Sequence, residues 1–353
     1  MSNMKLILIA CCYLFSSAVM AQPFISSVDT SQLGNGKLTV NGNSFGAGPS
    51  VDLFDNFEST TAKAGDVIPA TSPIIGSWTN VNKAVPYTAQ PHSGKFSAKM
   101  VNNPQFKKTF NSGVQEAFVS LWVRVPNGTN FPGASSPGIF PTVSSWKFAW
   151  LIDLDYQGNS SDLCTVSHVG HGNFHLGGND YDIIQWLGNS WWSWNSWVRI
   201  AVWVRANPTN PTATGDILYH TVSQEKGVAE NWFKAPVFDA DGPALKEYKY
   251  LTVPGWIKDN APLYDDVYVA SGPNAIAHVE LTDSANYDQS HMVAIQPSTS
   301  WSSGKITVQV NQGGFPDLNN VYLFVWDKDG NRNATGYPLS AGMSPPMYPS
   351  NIH

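Results

Sequence analysis

The segment 186–197 is rich in tryptophan, with five indole side chains among its twelve residues. A sugar ring can stack its apolar face on an indole, while its hydroxyl groups bind to nearby amides and carboxylates. If the segment is extended, Trp191 and Trp192 point to opposite faces, so one of them should be exposed to a ligand. The residues that we expect to contact a ligand are Trp191, Trp192, Trp194, Asn189 and Asp182. The alternative is that the tryptophans fill the core, as we expect for Trp197 and Trp203.

Four acidic residues bracket the central part of the chain. Asp55 and Glu58 stand near its start, and Asp265 and Asp266 stand near its end. The first and last strands of a β-sandwich are often neighbours, so these side chains could meet, and carboxylate oxygens are ligands that Ca²⁺ prefers. A structural calcium ion is therefore one expectation. The alternative is that the carboxylates cap turns and form surface hydrogen bonds.

A catalytic site is another possibility for this chain. Residues 173–175 (NFH) and 232–235 (WFKA) resemble, in this order, two motifs of the alginate-lyase type of polysaccharide lyase, which imply a histidine and a tyrosine that transfer protons. Phe238 stands where that tyrosine belongs and cannot transfer a proton. His175, Tyr181 and Arg199 are then the candidates for the base, the acid and the donor that neutralises a uronate.

Hydrolysis is the other catalytic possibility. Residues 151–155 (LIDLD) resemble the catalytic strand of laminarinase-type glucanases, but Leu151 stands at the position of the nucleophilic glutamate. Asp153 and Asp155 would share one strand face about 7 Å apart. A pair of glycosidase carboxylates can have that separation.

The first 21 residues predict export. They carry Lys5, continue with an apolar run and end in AVMA at 18–21, which is the pattern of a secretory signal peptide. The alternative is a lipoprotein signal, because residues 8–11 (LIAC) fit a lipobox and would leave Cys11 as a lipidated N-terminus. No later stretch reaches the roughly 20 apolar residues of a transmembrane helix. We expect a secreted or periplasmic protein with no membrane span.

Composition narrows the possible partners. The formal net charge is −6, and the chain has no basic run. Nucleic-acid backbones are bound by clusters of Lys and Arg, so the sequence argues against a nucleic-acid partner. Only Cys164 remains after export, so stability must come from a buried core without an internal disulfide.

Short alternating segments dominate the rest of the chain. Residues 117–125, 197–205 and 305–310 are examples, and Gly, Pro, Asn or Asp residues stand at their ends. This pattern predicts an all-β protein built from antiparallel sandwiches.

The central part resembles the concanavalin A-like lectin/glucanase superfamily, whose fold is a jelly-roll β-sandwich. The resemblance is carried by FDNFE at 54–58, by W-x-R at 122–124 and again at 197–199, and by YDDV at 264–267. It implies a jelly roll but little about activity, because function resides in sites that differ among proteins of one fold.

The two ends resemble the two halves of an immunoglobulin-like IPT/TIG domain. Residues 36–46 (GKLTVNGNSFG) match its opening, and residues 300–308 and 321–326 match its closing strands. We therefore predict a smaller immunoglobulin-like β-sandwich from residues 23–53 and 274–342, with the jelly roll of residues 54–273 inserted between them. Such an insertion is tolerated when the inserted ends lie close together. The alternative is one continuous sandwich.

The functional expectation follows from the aromatic segment and the predicted export. A secreted glycan-binding protein without catalysis fits both, and its partner would be a polysaccharide or a cell-surface glycan. One alternative is a polysaccharide lyase or another polysaccharide-degrading enzyme. The other is a structural or adhesion protein.

Overall fold

The computed structural model describes residues 21–101, 104–125, 146–152, 163–169, 173–178, 182–188, 190–193, 195–206, 214–236, 247–254 and 262–339. Within them the chain forms 24 strands, numbered here β1–β24 in chain order, and two short 3-10 helices at Leu33–Asn35 and Tyr287–Gln289. The strands pair in four antiparallel sheets, which confirms the predicted all-β fold. No helix in this part of the chain is long and apolar enough to span a membrane.

Two sheets of eight strands form the larger sandwich. The outer large sheet contains, in spatial order, β13 (Asp182–Gly188), β12 (Asn173–Gly178), β11 (Leu163–Val169), β10 (Trp150–Ile152), β17 (Tyr248–Val253), β7 (Phe106–Val114) and β4 (Asn80–Val81), with β9 (Trp146–Lys147) paired to β11. The inner large sheet contains β16 (Gly227–Pro236), β15 (Thr214–Ser223), β14 (Trp197–Arg205), β8 (Glu116–Arg124), β18 (Leu263–Ser271), β6 (Ser97–Lys99) and β5 (Tyr87–Thr88), with β3 (Ser50–Asp55) paired to β18.

Two sheets of four strands form the smaller sandwich. The inner small sheet contains β20 (Val293–Gln296), β19 (His278–Thr282), β23 (Tyr322–Trp326) and β24 (Tyr337–Pro338). The outer small sheet contains β1 (Phe24–Asp29), β2 (Lys37–Asn43), β22 (Lys305–Gln309) and β21 (Ser298–Trp301).

The four sheets stack as layers, because the two inner sheets face each other. In β14, Ile200 lies in the core between the large sheets, whereas Trp203 packs with Ile276 and Ile295 from the C-terminal part. In β19, Val279 lies in the core between the small sheets. Alternate residues of a strand point to opposite faces, so both inner sheets are covered on both sides. This explains why all nine residues of β18 are buried.

The two ends of the chain meet in the outer small sheet. Val40 of β2 stands opposite Ile306 of β22, and both are buried in the core of the small sandwich. This pairing supports the predicted joining of the ends, while the domain boundaries and the immunoglobulin-like assignment stay predictions. One detail differs from those boundaries, since residues 50–53 belong to β3, which pairs with β18 in the large sandwich. Residues 1–20, where the signal peptide is predicted, lie outside the described residues.

Candidate functional site

Trp191 and Trp192 are core residues of the large sandwich, so the expectation that one of them is exposed is wrong. They are 6% and 5% exposed, and their rings meet edge to face at 5.4 Å. Trp191 also packs against Tyr219 at 5.6 Å. The two rings are not divided between opposite faces, because this stretch lies in a turn between strands and not in a strand. Trp194 and Asn189 lie outside the described residues, and only the backbone of Asp182 is described, at the start of β13.

The three residues predicted for a lyase are not brought together by the described structure. His175 lies in β12 of the outer large sheet, and only its backbone is described. Arg199 lies in β14 of the inner large sheet, and its side chain points away from the outer sheet towards Glu280. It is 1% exposed, so no polymer can reach it. Tyr181 lies outside the described residues, as do Asp153 and Asp155.

Arg199 belongs to a buried polar network between the two sandwiches. Its Nη2 lies 2.6 Å from Glu280 Oε1, and its Nε donates to Ser120 Oγ at 2.8 Å. The Tyr287 hydroxyl donates to Glu280 Oε2 at 2.5 Å. Burial alone would raise the pKa of Glu280, but Arg199 and His278 hold it well below its ordinary value. The network therefore keeps an ionised pair inside the molecule, and its role is structural.

A neutral histidine completes this network. His220 Nδ1 accepts from Arg199 Nη1 at 3.1 Å, and its Nε2 lies 3.2 Å from the Tyr287 hydroxyl. Burial and the positive charge of Arg199 hold the pKa of His220 well below its ordinary value. Because Nδ1 accepts, the ring proton lies on Nε2, and it can be donated to the tyrosine oxygen.

Two of the four carboxylates predicted to bind calcium hold the loops of the large sandwich. Asp55 accepts from Ser72 Oγ at 2.6 Å and from Trp78 Nε1 at 2.7 Å. Burial raises the pKa of Asp55 to about 6. Glu58 Oε1 accepts from the backbone amides of residues 95 and 96 at 2.7 and 2.8 Å. These carboxylates therefore have protein donors as partners.

The other two carboxylates hold a loop that contains His92. Asp265 Oδ2 accepts from the backbone amides of His92 and Ser93 at 2.8 and 3.2 Å. Burial and the neighbouring Asp266 raise the pKa of Asp265 well above its ordinary value. Among the described residues no group of three or more His, Cys, Asp or Glu side chains is placed to hold a metal ion. Calcium binding by these four residues stays a prediction that this geometry does not favour.

A cavity of about 320 Å³ opens between the two sandwiches, next to that loop. Its walls include aromatic, amide and cationic side chains. From the large sandwich it is lined by His92, Trp122, Arg124, Asn195, Ser196, Trp197 and Gln224, and from the C-terminal part by Met292 and Gly314. Sites between domains are frequent places for ligands, and this volume lies within the roughly 300–1,000 Å³ of small-molecule sites.

The aromatic wall of the cavity is held in place by fixed contacts. The His92 ring stacks on Trp122 with 3.8 Å between ring centroids and 16° between ring planes. Trp197 meets His92 edge-on at 5.7 Å, and its Nε1 donates to the Pro91 carbonyl at 3.1 Å. Because each ring is held, little side-chain freedom is lost when a ligand binds.

Asp266 orients the histidine of this wall. His92 Nδ1 lies 2.8 Å from Asp266 Oδ2, while Nε2 faces Gly314, where an added methyl group would lie 3.1 Å from that nitrogen. Asp266 has a φ angle of 47° and sits at a bulge of β18, and Asn195 in the cavity wall has a φ angle of 59°. Backbone strain and bulges of this kind are concentrated at functional sites.

Arg124 is the cation of the cavity. It stands directly opposite Trp197 in the pairing of β8 with β14, so the two side chains share one face. Trp122 lies two residues earlier on the same face. Among the described residues the Arg124 guanidinium has no hydrogen-bond or ion-pair partner. A half-buried arginine in the cavity lining, with no carboxylate partner among the described residues, is placed to meet a ligand.

Sequence reasoning identified part of this site. Trp197 lies in the tryptophan-rich segment, but we expected it to be core, and Asn195 is one of the amides near the tryptophans in sequence but is not among the expected ligand contacts. The W-x-R motif at 122–124 was interpreted only as a sign of the fold. No sequence signal pointed to His92, because its place in the wall depends on Asp266, a contact between residues that are distant in sequence.

No family model and no curated protein matches this sequence. Among solved structures, the chain is similar to domain 4 of AbnA, a GH43 extracellular arabinanase from Geobacillus stearothermophilus determined with arabinotriose, at 12% identity and a TM-score of 0.33, covering 64% of this chain and 94% of that one. For peanut lectin determined with a nine-residue peptide, the identity is 10%, the TM-score 0.35 and the coverage 64% and 98%. For the lectin UEA-II with galactose, these values are 11%, 0.32, and 61% and 100%. Similarities of this extent identify neither a family nor a ligand for this chain.

Proposed function

We propose that this protein is a secreted glycan-binding protein whose binding site is the cavity between the two sandwiches. The observation that carries the proposal is the combination of held aromatic rings with amide and guanidinium donors in one cavity of about 320 Å³. Export is proposed from the N-terminal pattern, and N-terminal sequencing of the exported protein is expected to begin at Gln22. A lipid-modified Cys11 as the first residue would overturn soluble export.

The chemistry of the cavity suits a sugar. Trp197 is half-buried, so part of its indole is open to the apolar face of a pyranose or furanose ring. Asn195 and Gln224 are exposed at the cavity and carry amides that can donate to and accept from sugar hydroxyls. A site that combines an apolar platform with a few polar groups in fixed positions binds a small, polar ring better than an apolar ligand.

Replacing Trp197 tests this site. Trp197→Ala removes the aromatic platform. We expect the affinity of the variant for a glycan to be at least about fivefold lower than that of the wild type, by analogy with the roughly 1–3 kcal/mol that stacking of a base on an aromatic ring contributes. The measurement is affinity gel electrophoresis and calorimetry with a panel of neutral and acidic polysaccharides.

The matched control is another tryptophan with open surface. Trp232 is 46% exposed and lies in β16, away from the cavity lining. Trp232→Ala should retain the wild-type affinity. If Trp232→Ala weakens binding and Trp197→Ala does not, the glycan site lies elsewhere, and if the wild type binds no glycan, the proposed function is wrong.

The pairing of His92 with Asp266 favours a polysaccharide lyase as a second candidate. A base oriented by a carboxylate, beside Arg124, could remove the proton at C5 of a uronate while the bond between C4 and the leaving oxygen breaks and a C4–C5 double bond forms. The leaving oxygen must then gain a proton. No tyrosine, aspartate or glutamate among the described residues lines the cavity, so binding without catalysis ranks first.

Product analysis separates the two candidates. A lyase produces unsaturated uronates that absorb in the ultraviolet, and His92→Gln should then abolish the absorbance. Incubation of the wild type with alginate and galacturonan that yields no new absorbance rejects the lyase. Such a result leaves the binding proposal unchanged.

A further inference from the structure

The four arginines of the chain differ in whether a carboxylate lies beside them. The chain has four arginines, and all four lie in the described residues. Arg199 pairs with Glu280, and Arg205 pairs with Asp216 at 2.9 Å. Arg332 pairs with Glu230 at 2.7 Å and with Asp288 at 2.6 Å. Arg124 alone has no carboxylate partner among the described residues, and it is the arginine that lines the cavity.

The backbone position of Arg124 is fixed, although its guanidinium has no partner in the part of the chain that the structure describes. It ends β8, and its backbone is paired with Trp197 of β14 on one side and with Leu263 of β18 on the other. Arg124 is half-buried as a residue, which limits the water that can compensate its charge. A charge in such a place favours a ligand of opposite sign more than a fully exposed charge does.

Among the described residues that line the cavity, none carries a negative charge that would compete for Arg124. The described lining contains no aspartate or glutamate. Asp266, which lies behind the aromatic wall, is already bonded to His92 Nδ1 and to Ser93 Oγ at 2.8 and 3.1 Å. The net charge of −6 repels anions at long range, but over a Debye length of about 8 Å at physiological salt this repulsion is screened, and the local cation decides binding.

We infer that the cavity binds an acidic sugar, with the carboxylate of a uronic acid on Arg124. The planar guanidinium presents two parallel N–H groups that match the two oxygens of a planar carboxylate. The sugar ring then lies beside Trp197, which shares the face of Arg124. This inference rests on the proposed function, because it names the class of glycan that the same cavity takes.

The test uses glycans that differ only in the acid group. The probes are galacturonan with its methyl ester and alginate with its propylene glycol ester, with carrageenan against agarose for sulfate esters, and laminarin and xylan as neutral glycans. Affinity electrophoresis with the mature full-length protein should show the free acids bound about 10- to 100-fold more tightly than their esters, since a hydrogen bond to a charged group contributes about that factor. Added NaCl should weaken binding of the acids only.

Two variants assign the preference to one residue. Arg124→Gln should bind acid and ester alike, at the affinity that the wild type has for the ester, and Arg124→Lys should lie between them, because it keeps the charge without the two-pronged geometry. Since the guanidinium has no partner among the described residues, both variants should keep the wild-type melting temperature, which shows that a loss of binding is not unfolding.

The outcomes separate the inference from the function on which it rests. Equal binding of acids and esters, or an acid preference that survives in Arg124→Gln, overturns the inference and leaves glycan binding in place. If only carrageenan retains the protein, the inference of a carboxylate is wrong and the group bound by Arg124 is a sulfate ester. If only laminarin or xylan retains the protein, the inference that the glycan is acidic is wrong. No retention by any glycan overturns the proposed function itself.

Discussion

Arg124 and Arg199 show how surroundings decide what one residue type does. Both side chains lie on the same face of the inner large sheet, where Arg199 stands opposite Trp122 and Arg124 stands opposite Trp197. The inner small sheet covers Arg199 and supplies Glu280. Arg124 ends its strand beside a cavity, where no carboxylate is supplied by the described residues. Arg199 therefore helps to hold the two inner sheets together, and Arg124 is placed to meet a ligand.

Glu280→Gln should strongly destabilise the protein. The substitution leaves the Arg199 charge buried without a counter-charge, and breaking a buried pair in this way costs about 3–5 kcal/mol. Folding also lowers the pKa of Glu280 below its ordinary value of 4.5. The stability that the charge of Glu280 contributes is therefore complete above pH 4.5, and it is lost as the pH falls through the lower pKa of the folded state. The measurement is urea unfolding at neutral pH and at decreasing pH.

The control for this prediction is an exposed ion pair. Lys328 and Asp329 lie 2.7 Å apart on the surface. Asp329→Asn should change the free energy of unfolding by less than about 1 kcal/mol, because exposed pairs contribute little. Equal effects of the two substitutions would contradict a structural role of the Glu280 network.

Sequence reasoning at this scale located a region but not its residues. The tryptophan-rich segment does reach the cavity, through Trp197, yet the two residues with the strongest apparent claim, Trp191 and Trp192, are in the core. Their exposure depends on the path of a turn, which residue spacing does not encode. Whether Arg124 has a partner depends on carboxylates brought near it by the fold, and no local pattern reports that.

At the scale of the strand, the inner sheets depart from simple alternation. The β8 sequence carries Phe118 and Trp122 on one face and Val119 and Leu121 on the other, and all four are buried. A strand covered on both faces becomes a nearly continuous apolar run, as in buried sheets generally. The strands were nevertheless predicted correctly, because β-branched and aromatic residues between turn residues identify a strand without help from alternation.

The pairing of the chain ends was predictable only through resemblance. Alternation in 37–40 and 305–310 predicts two strands but does not say that they are partners. The IPT/TIG-like motifs supplied that connection, and β2 does pair with β22. Residues 50–53 of β3 were predicted in the smaller sandwich, but β3 pairs with β18 of the large one. The strand lies where the chain passes from one sandwich to the other, and its sequence does not say which of the two it joins.

A double-mutant cycle measures the contact between the ends. Val40 and Ile306 are opposite each other and fully buried. Ile306→Ala should lower the free energy of unfolding by about 2–5 kcal/mol, and Val40→Ala, which removes fewer buried carbon atoms, should lower it by less. Their combined effect should depart from the sum by about 0.5–3 kcal/mol, because residues in contact couple.

A distant core residue provides the comparison. Leu121 lies in the core of the large sandwich. Val40→Ala combined with Leu121→Ala should be additive within about 0.5 kcal/mol. Additivity of Val40→Ala with Ile306→Ala as well would mean that β2 and β22 are not partners in solution.

At the scale of the whole molecule, the two sandwiches share an interface that resembles a core. Phe118 and Trp203 from the large sandwich pack with Ile276 and Ile295 from the C-terminal part, and the Arg199–Glu280 pair lies beside them. Loose interfaces between domains are more polar and permit relative motion. An interface that is apolar and holds a buried ion pair should instead couple the stability of the two parts.

We therefore expect the protein to unfold in one cooperative transition. Calorimetry should give one peak with similar calorimetric and van't Hoff enthalpies, and the melting curves from circular dichroism and tryptophan fluorescence should coincide. Glu280→Gln should lower the single melting temperature. Two separate transitions in the wild type would show that the shared interface does not couple the sandwiches.

The pairing of β2 with β22 also sets an order in time. Thr39 and Thr307, whose side chains meet across these strands, are 268 positions apart in sequence. At about 5–20 residues per second of synthesis, the first strands wait roughly 15–50 s for their partner. During that interval Leu38 and Val40 have no core to enter, although the hairpin of β1 and β2 can already form. The earliest strands to be made thus wait longest for their partner, and the apolar face of the N-terminal hairpin stays uncovered for that whole interval.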